Sequence, residues 1–308
     1  MKRLKAVVLG SINYDCVAKA DRLPRKGETL RGYSFGTFVG GKGSNQSVQM
    51  ALLGAQVTFI GKVGADDVGR TMKNSLKNHG ISIDHLAVDP HANSGACSIN
   101  LDAAGQNTLL YVPGANETLA REDIDGAVDA IKDADIFITQ NEINLDMLEY
   151  GLETAKRFGI TTLLNPAPAL PLSDRIFALA DYILPNETET EEYCGFLPTD
   201  AVSLKQAAEW FFERGTKNVV ITLGEQGSFY AGTSGSVRVP GFKVNAVDTT
   251  AAGDAFIGGF AYTVGRGGSV EEAMRFGNAC GALAASANGA QASLPALEKV
   301  LEMIETHH

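Results

Sequence analysis

From residue 122 onward the chain alternates helix-like and strand-like stretches with almost no interruption, and this rhythm restricts its fold more than any other feature. Strands are expected at 136–139, 161–164, 182–184 and 218–223, with helices beginning near residues 122, 144 and 203. Short apolar runs interleaved with helical spacing are what a mostly parallel sheet needs when helices cover both of its faces. Ala6-Val7-Val8-Leu9-Gly10 is apolar throughout and fits a central strand of such a sheet, buried on either side. The C-terminal third reads as helices over 253–264, over 270–287 and from 295 to the end.

Two stretches break the rhythm. Residues 11–39 alternate polar and apolar side chains, punctuated by Pro24, Gly27, Gly32 and Gly36, which predicts short exposed strands rather than a crossover helix. A helix to residue 53, a strand at 57–61, a helix over 66–79 and a strand at 83–88 follow. The pattern then breaks again into 96–101, a turn at Ala103-Ala104-Gly105 and 108–112, a hairpin signature. The excursions at about 12–39 and 95–113 are expected to form one small β-sheet. It would serve as a lid on a single three-layer α/β/α domain spanning 1–308, a length that can bury a substantial core.

A net charge of −10 repels a phosphate backbone, and no run of Lys or Arg offsets it locally, so nucleic acid is excluded as a partner. The first ten residues hold too few apolar side chains for a signal sequence or a membrane span, which points to the cytoplasm and no membrane partner. Cys16, Cys97, Cys194 and Cys280 are scattered, as suits reduced packing residues rather than a disulfide framework or zinc site. His307 and His308 read as tag remnants, and the other histidines lack metal-ligand spacing.

Neither a G-x-x-x-x-G-K-[ST] loop nor a G-x-G-x-x-G fingerprint is present, so a nucleotide would need a different phosphate device. Asp248-Thr249-Thr250-Ala251-Ala252-Gly253-Asp254 opens a long helix of small residues. Its small Ala251, Ala252 and Gly253 let a phosphate approach unpaired amides at the positive end of the helix dipole, an anion hole. Asp254 beside such a site has two readings: a base that takes the proton of an attacking hydroxyl, or an ordinary first-turn acid.

Gly40-Gly41-Lys42-Gly43-Ser44-Asn45-Gln46 is a glycine-rich turn entering a helix, with Lys and Asn able to bond sugar hydroxyls. Asn13 and Asp15 follow the first strand one residue apart. They face one side of an extended segment as a polyhydroxyl-binding wall with Asn45, or else serve turn chemistry. Asn186 and Glu189, in Pro185-Asn186-Glu187-Thr188-Glu189, orient the waters of a hydrated Mg²⁺ or form a helix cap.

Together these segments resemble the ribokinase family of carbohydrate kinases, the PfkB type. The resemblance runs from Gly10-Ser11-Ile12-Asn13-Tyr14-Asp15 and the Gly40-to-Gly64 signature to the Asp248-to-Ala261 signature. Gly114-Ala115-Asn116, Asn165-Pro166-Ala167-Pro168 and Thr222-Leu223-Gly224 lie between them. It implies a kinase that uses ATP and Mg²⁺ to phosphorylate the 5-hydroxyl of D-ribose. By matching positions, Asn13, Asp15, Gly41, Lys42, Gly43, Asn45 and Glu142 would hold the sugar and Asp254 would deprotonate it. Asn186, Thr222, Leu223, Gly224, Gly227 and Gly253 would contact ATP, and Asn278 stands where the resemblance leads one to expect His near the adenine. The resemblance further implies a monovalent cation, K⁺, held by Asp248, Thr250, Ala284, Ala287, Gly289 and Ser293, and a homodimer formed through the β lid.

Kinases for 2-deoxyribose, fructose, a keto-deoxy sugar acid or a nucleoside stand as alternatives within the same chemistry. Asn13 with Asp15 favours adjacent free hydroxyls, and the sequence offers no aromatic slot for a nucleobase. A non-catalytic sugar- or nucleotide-binding protein on this fold would not need Asp254 or the Asn186/Glu189 pair.

Overall fold

The computed structural model describes residues 3–104, 106–233 and 235–306. Gly105, the last residue of the expected hairpin turn, and His307 and His308 lie outside the described residues. The chain begins with β1 (Lys5–Leu9), β2 (Asn13–Lys19), β3 (Ser34–Gly40), α1 (Lys42–Leu52), β4 (Gln56–Gly64), α2 (Asp67–Asn78) and β5 (Ser82–Asp89). It continues through β6 (Ala96–Leu101), β7 (Asn107–Val112), α3 (Arg121–Asp125), α4 (Val128–Lys132), β8 (Ile136–Gln140), α5 (Leu145–Arg157), β9 (Thr161–Asn165) and α6 (Asp174–Leu179). Then come β10 (Tyr182–Ile183), α7 (Glu187–Cys194), α8 (Ala201–Phe212), β11 (Asn218–Thr222), β12 (Ser228–Gly232) and β13 (Gly235–Val239). The last elements are α9 (Ala252–Gly265), α10 (Val270–Ala285) and α11 (Leu297–Thr306).

Nine strands form one sheet in the order β13-β12-β11-β10-β9-β8-β1-β4-β5. Every neighbouring pair from β5 to β11 is parallel, and only β12 and β13 run antiparallel at one edge. The apolar run near the start is central, between β8 and β4. Its alternate residues enter two cores: Ala6 and Val8 pack with Phe59 and Phe260 on one face, and Val7 and Leu9 with Phe137 and Leu152 on the other. A strand wrapped on both faces needs no polar side, which is why this segment is apolar throughout.

The two excursions meet as expected, in a second sheet ordered β3-β2-β6-β7. β2 bridges them, antiparallel to β3 and parallel to β6. The structure differs from the sequence reading in four places. The helix expected after residue 122 is two short helices, α3 and α4, separated at Gly126 and Ala127, the brief α6 is not anticipated, and of α7 the sequence offers only the cap at Asn186. The antiparallel β12–β13 ribbon also precedes the helical C-terminal third, where Phe229, Tyr230, Ala231 and Val239 are buried but too few for a clear period.

Candidate active site

Loops at the C-terminal ends of β1, β8, β9, β10 and β11 converge on the start of α9, the edge at which open α/β sheets commonly bind ligands. Ala251 caps α9 in the left-handed region at φ 60°, the sole non-glycine with positive φ among the described residues. Such a conformation costs roughly 1–2 kcal/mol and collects where a site is held under strain. No side chain caps the helix. Of the amides expected to make the anion hole, that of Ala252 already bonds the Thr249 carbonyl at 3.2 Å. The first-turn amides of Gly253 and Asp254 remain as donors that helix geometry leaves unpaired. A Cβ on Gly253 would meet nothing within 4 Å, so this glycine answers to neither backbone strain nor internal packing. The space beside it can admit a phosphate. Further along, small residues serve packing instead: a Cβ on Gly258 would strike Gln49, and one on Gly259 would strike Cys280.

Asp254 sits almost wholly buried at the first turn of α9. Its Oδ2 accepts from Asn45 Nδ2 at 2.9 Å and its Oδ1 from Gln46 Nε2 at 3.0 Å. Burial pushes its carboxyl above the ordinary range, and Lys42, Asn45 and Gln46 pull against that shift. Lys42 is drawn down by burial, yet Asp254, Glu142 and Glu189 together lift its ammonium above the usual value, so it stays charged. A carboxylate buried this deeply and raised is not an ordinary surface helix acid.

The residues expected to make a polyhydroxyl wall gather along the start of α1. Glu142 Oε2 accepts from Ser11 Oγ (2.6 Å), from the Lys42 amide (3.1 Å) and from Asn13 Nδ2 (3.4 Å). Asp15 lies close enough to feel both Glu142 and Asp254, and burial, then those two charges, push its carboxyl up to about 7. Glycine at position 40 is dictated by Asp15, whose carboxylate occupies the space a Cβ would need, and Gly41 turns at φ 90° against the Ile12–Asn13 backbone. A Cβ on Gly43 would stand 2.7 Å from the Ser11 amide and 2.8 Å from Gly10, so Gly43→Ala must push α1 away from the β1 loop. We expect it to cost about 1–3 kcal/mol in unfolding free energy and to raise the sugar KM more than the nucleotide KM; unchanged melting and sugar KM would refute this account.

Two cavities meet at Gly253. One of about 210 Å³ is lined by Lys42, Asn186, Glu189, Ala251, Gly253 and Asp254 among others. The other, about 780 Å³, is lined by Thr222, Gly224, Gly227, Phe242, Gly253 and Asn278, and is large enough for a nucleotide. Leu223 does not join them: its side chain is buried in the core, and it contributes an amide bonded to the Gly227 carbonyl at 2.8 Å. Asn278 donates to the Val239 and Pro240 carbonyls, both at 3.2 Å, which ties the cavity floor to the end of β13.

Asn186 and Glu189 meet the helix-cap reading. They form a reciprocal capping box at the start of α7, each side chain accepting from the other's amide at 2.8 Å, and both line the smaller cavity. Burial raises Glu189, opposed by Lys42. Among the described residues no cluster of three or more His, Cys, Asp or Glu is placed to hold a metal, so a divalent ion there would rely on phosphate oxygens and water.

At the expected cation loop, Asp248 Oδ1 accepts from the Thr250 amide (3.0 Å) and hydroxyl (2.6 Å), and Oδ2 accepts from the Gly289 amide (3.0 Å). Burial raises this carboxyl, but those bonds hold it below its ordinary range. The Ala287 amide bonds the Ala284 carbonyl at 3.2 Å, whereas the Ser293 hydroxyl bonds Ala290 rather than any of these. Oxygen ligands with no thiol or imidazole among them are the set a hard cation prefers.

Residues that the sequence did not single out complete the site. Gln46 and Asn165 stand inside motifs already noted, but Gln140 ends an apolar strand and its only signal is a lone polar residue there. Asn116 clamps the crossing between the sheets, accepting from the Ile12 amide (3.1 Å) and donating to the Ile12 carbonyl (3.2 Å) and to Asn13 Oδ1 (2.8 Å).

A nucleotide-sized groove, open amides at a helix start and a buried carboxylate facing a polar wall define a phosphotransferase site for a small hydroxylated acceptor. The chain belongs to the pfkB family of carbohydrate kinases, whose pattern matches residues 3–297. It is 40% identical over 298 residues to a ribokinase of Staphylococcus aureus, covering 96% of this chain and 98% of that one. It is 37% identical over 299 residues to a deoxyribokinase of Salmonella typhi, covering 96% and 97% respectively. Among solved structures, Arabidopsis thaliana ribokinase complexed with ribose and ATP superposes with a TM-score of 0.92 at 28% identity over 99% of each chain.

Proposed function

We propose that this chain is an ATP-dependent D-ribose kinase that forms D-ribose 5-phosphate and ADP, working as one α/β domain with the smaller sheet as its lid. The observation that carries this reading is the placement of Asp254: buried, held on both oxygens, and beside Gly253 where the two cavities meet. The sugar lies along Asn13, Asp15, Asn45 and Glu142 with its 5-hydroxyl toward Asp254. Asp254 takes the hydroxyl proton as the oxygen attacks the terminal phosphorus in line, and the amides of Gly253 and Asp254, with Lys42, stabilise the charge on the transferring group. Mg²⁺, when bound, neutralises phosphate charge, and Asn186 and Glu189 would orient its waters. The open space at Gly253 and the glycines Gly224 and Gly227 fit the phosphates and the nucleotide. K⁺ at the Asp248 loop would brace the start of α9.

The deoxyribokinase relative gives a specific reason to weigh 2-deoxyribose. Asn13 and Asp15 together supply more hydrogen-bonding capacity than an acceptor lacking one of two adjacent hydroxyls can use. Sites built to bond a hydroxyl discriminate strongly against its loss, because their polar groups are left unpaired. We therefore expect kcat/KM for D-ribose to exceed that for 2-deoxyribose by about tenfold or more in a coupled ADP-release assay with and without K⁺. Fructose, a keto-deoxy sugar acid and a nucleoside complete the panel. Equal values for the two pentoses, or a better rate on another member, would overturn ribose as the acceptor.

The same reading makes the protein a cytoplasmic homodimer. Among the described residues no helix is long and apolar enough to cross a membrane. The lid exposes the apolar side chains Tyr33, Phe35, Phe38, Leu109, Leu110 and Val112, which a contact with a second copy would cover.

A further inference from the structure

Asp254 has two oxygens, and the groups that hold them differ. Asn165 Nδ2 donates to the Leu184 carbonyl at 2.9 Å, a backbone oxygen that can only accept. That contact fixes the orientation of the Asn165 amide and turns its Oδ1 toward Gln46. Gln46 must then present Nε2, which reaches Asn165 Oδ1 at 3.2 Å and Asp254 Oδ1 at 3.0 Å. Its Oε1 accepts from Gln140 Nε2 at 2.7 Å. Gln46 and Gln140 are completely buried, so no solvent competes for these bonds. The chain carries no Cβ at residue 10, where one would collide with the Gln140 amide. A peptide carbonyl thus sets the polarity of three consecutive amides, and Gln46 can only donate to Asp254 Oδ1.

The other oxygen is held loosely. Asn45 Nδ2 donates to Asp254 Oδ2, but Asn45 Oδ1 is buried with no hydrogen-bond partner among the described residues. Nothing fixes the Asn45 amide as Leu184 fixes the relay. Rotated by half a turn, it would offer a carbonyl to a protonated Oδ2 and give that unpartnered oxygen a donor.

We propose that Gln46, oriented by Gln140 and Asn165, is a positioning residue that locks Asp254 Oδ1 as a permanent hydrogen-bond acceptor, so that the proton from the sugar hydroxyl is received on Oδ2. This rests on the reading of Asp254 as the base. In the step, the hydroxyl O–H bond breaks and its electron pair forms the new O–P bond. The proton goes to Oδ2, and the bond from phosphorus to the leaving oxygen breaks, its electrons staying on ADP. Gln46 then plays the part of a fixed dipole, which aims the free lone pairs of Oδ2 at the hydroxyl and needs no reorganisation during the reaction.

The test removes the relay without touching the base. Gln140→Met keeps the volume and deletes the bond that orients Gln46, and Gln46→Glu replaces its donor with an acceptor. Lys42, Glu142, Asp15 and Glu189 are the charged groups around Asp254 and are left in place in both variants. With D-ribose and ATP-Mg²⁺, Gln140→Met is expected to lower kcat about tenfold, and Gln46→Glu about a hundredfold, with the ATP KM unchanged within about threefold. The acidic limb of kcat should move upward by about half a pH unit in the first and by about one in the second. Carbon-13 carboxyl titration of the ligand-free protein, with Asp254→Asn supplying the assignment, should show the same order and requires no acceptor.

If both variants melt lower but keep the wild-type kcat and limb, the relay is only structural and the proposal falls. A deuteron found on Oδ1 by neutron diffraction below the limb would overturn it equally. If Asp254→Asn itself retains turnover, the base assignment fails. Loss in Asp254→Asn with unaltered relay variants defeats this inference alone.

Discussion

Asp254→Asn is expected to lower kcat by about a thousandfold, while ATP still binds within about threefold of the wild-type affinity. Asn keeps the shape and one acceptor oxygen, so Asn45 or Gln46 retains a partner and α9 keeps its first turn. What disappears is, among the described residues, the one buried carboxylate that both lines the smaller cavity and adjoins the open first-turn amides of α9. The larger cavity, where the proposed function puts ATP, lies on the other side of Gly253 along Gly224, Gly227 and Phe242 and is not lined by this side chain. The sign of the pH response follows from burial, which raises the Asp254 carboxyl. A base is active once deprotonated, so the wild-type kcat should fall on the acidic side at a higher pH than an ordinary aspartate would give. That limb should be absent from the residual rate of the variant. Turnover within tenfold of wild type, measured as sugar-dependent ADP release, would remove Asp254 from the role of base.

Much of this architecture is legible in the chain, and the illegible parts share a cause. The apolar run at Ala6 and the rhythm after residue 122 announce a helix-covered parallel sheet because central strands bury both faces. The lid excursions are visible because half-exposed strands alternate. The β12–β13 ribbon escapes notice: it is five residues per strand at a sheet edge, with too little periodic signal to separate from loop. At the site, glycine-rich helix starts mark themselves by residue type, and Asp254, Asn45, Asn13 and Asp15 are brought to one place as expected. Gln140 and Asn116 work through bonds to residues 94 and 104 positions away in the chain; Asn116 falls in a quoted motif that does not tell its partner, and Gln140 falls in none. Gly40 shows the converse. It reads as part of a glycine-rich turn, but a Cβ there would fall where the Asp15 carboxylate stands.

Asp15→Asn should separate stability from function. Burial, reinforced by the charges of Glu142 and Asp254, raises the Asp15 carboxyl to about 7 in the folded chain. In the unfolded chain it titrates near the ordinary value of about 3.9. Between those limits the folded protein holds a proton that the unfolded chain has released. The Asp15 contribution to stability is therefore most favourable below about pH 4, falls as pH rises, and levels off above the folded value near 7. The full linkage comes to about 4 kcal/mol if nothing relaxes, and local rearrangement will reduce it. Asn carries no charge to bury, so Asp15→Asn is expected to be more stable than wild type by about 1–3 kcal/mol near pH 8, with the gap closing toward pH 4. The same change should raise the sugar KM by about 10- to 100-fold, because an amide cannot accept from two hydroxyls as a carboxylate can. A protein assembled for stability alone would not keep an acid here; a sugar whose hydroxyls donate to it supplies the compensation that the empty site lacks. Denaturant unfolding at several pH values, beside sugar-saturation kinetics, measures both halves. A destabilised variant near pH 8, or one with an unchanged sugar KM, would show that Asp15 does not bear the charge cost of recognising the acceptor.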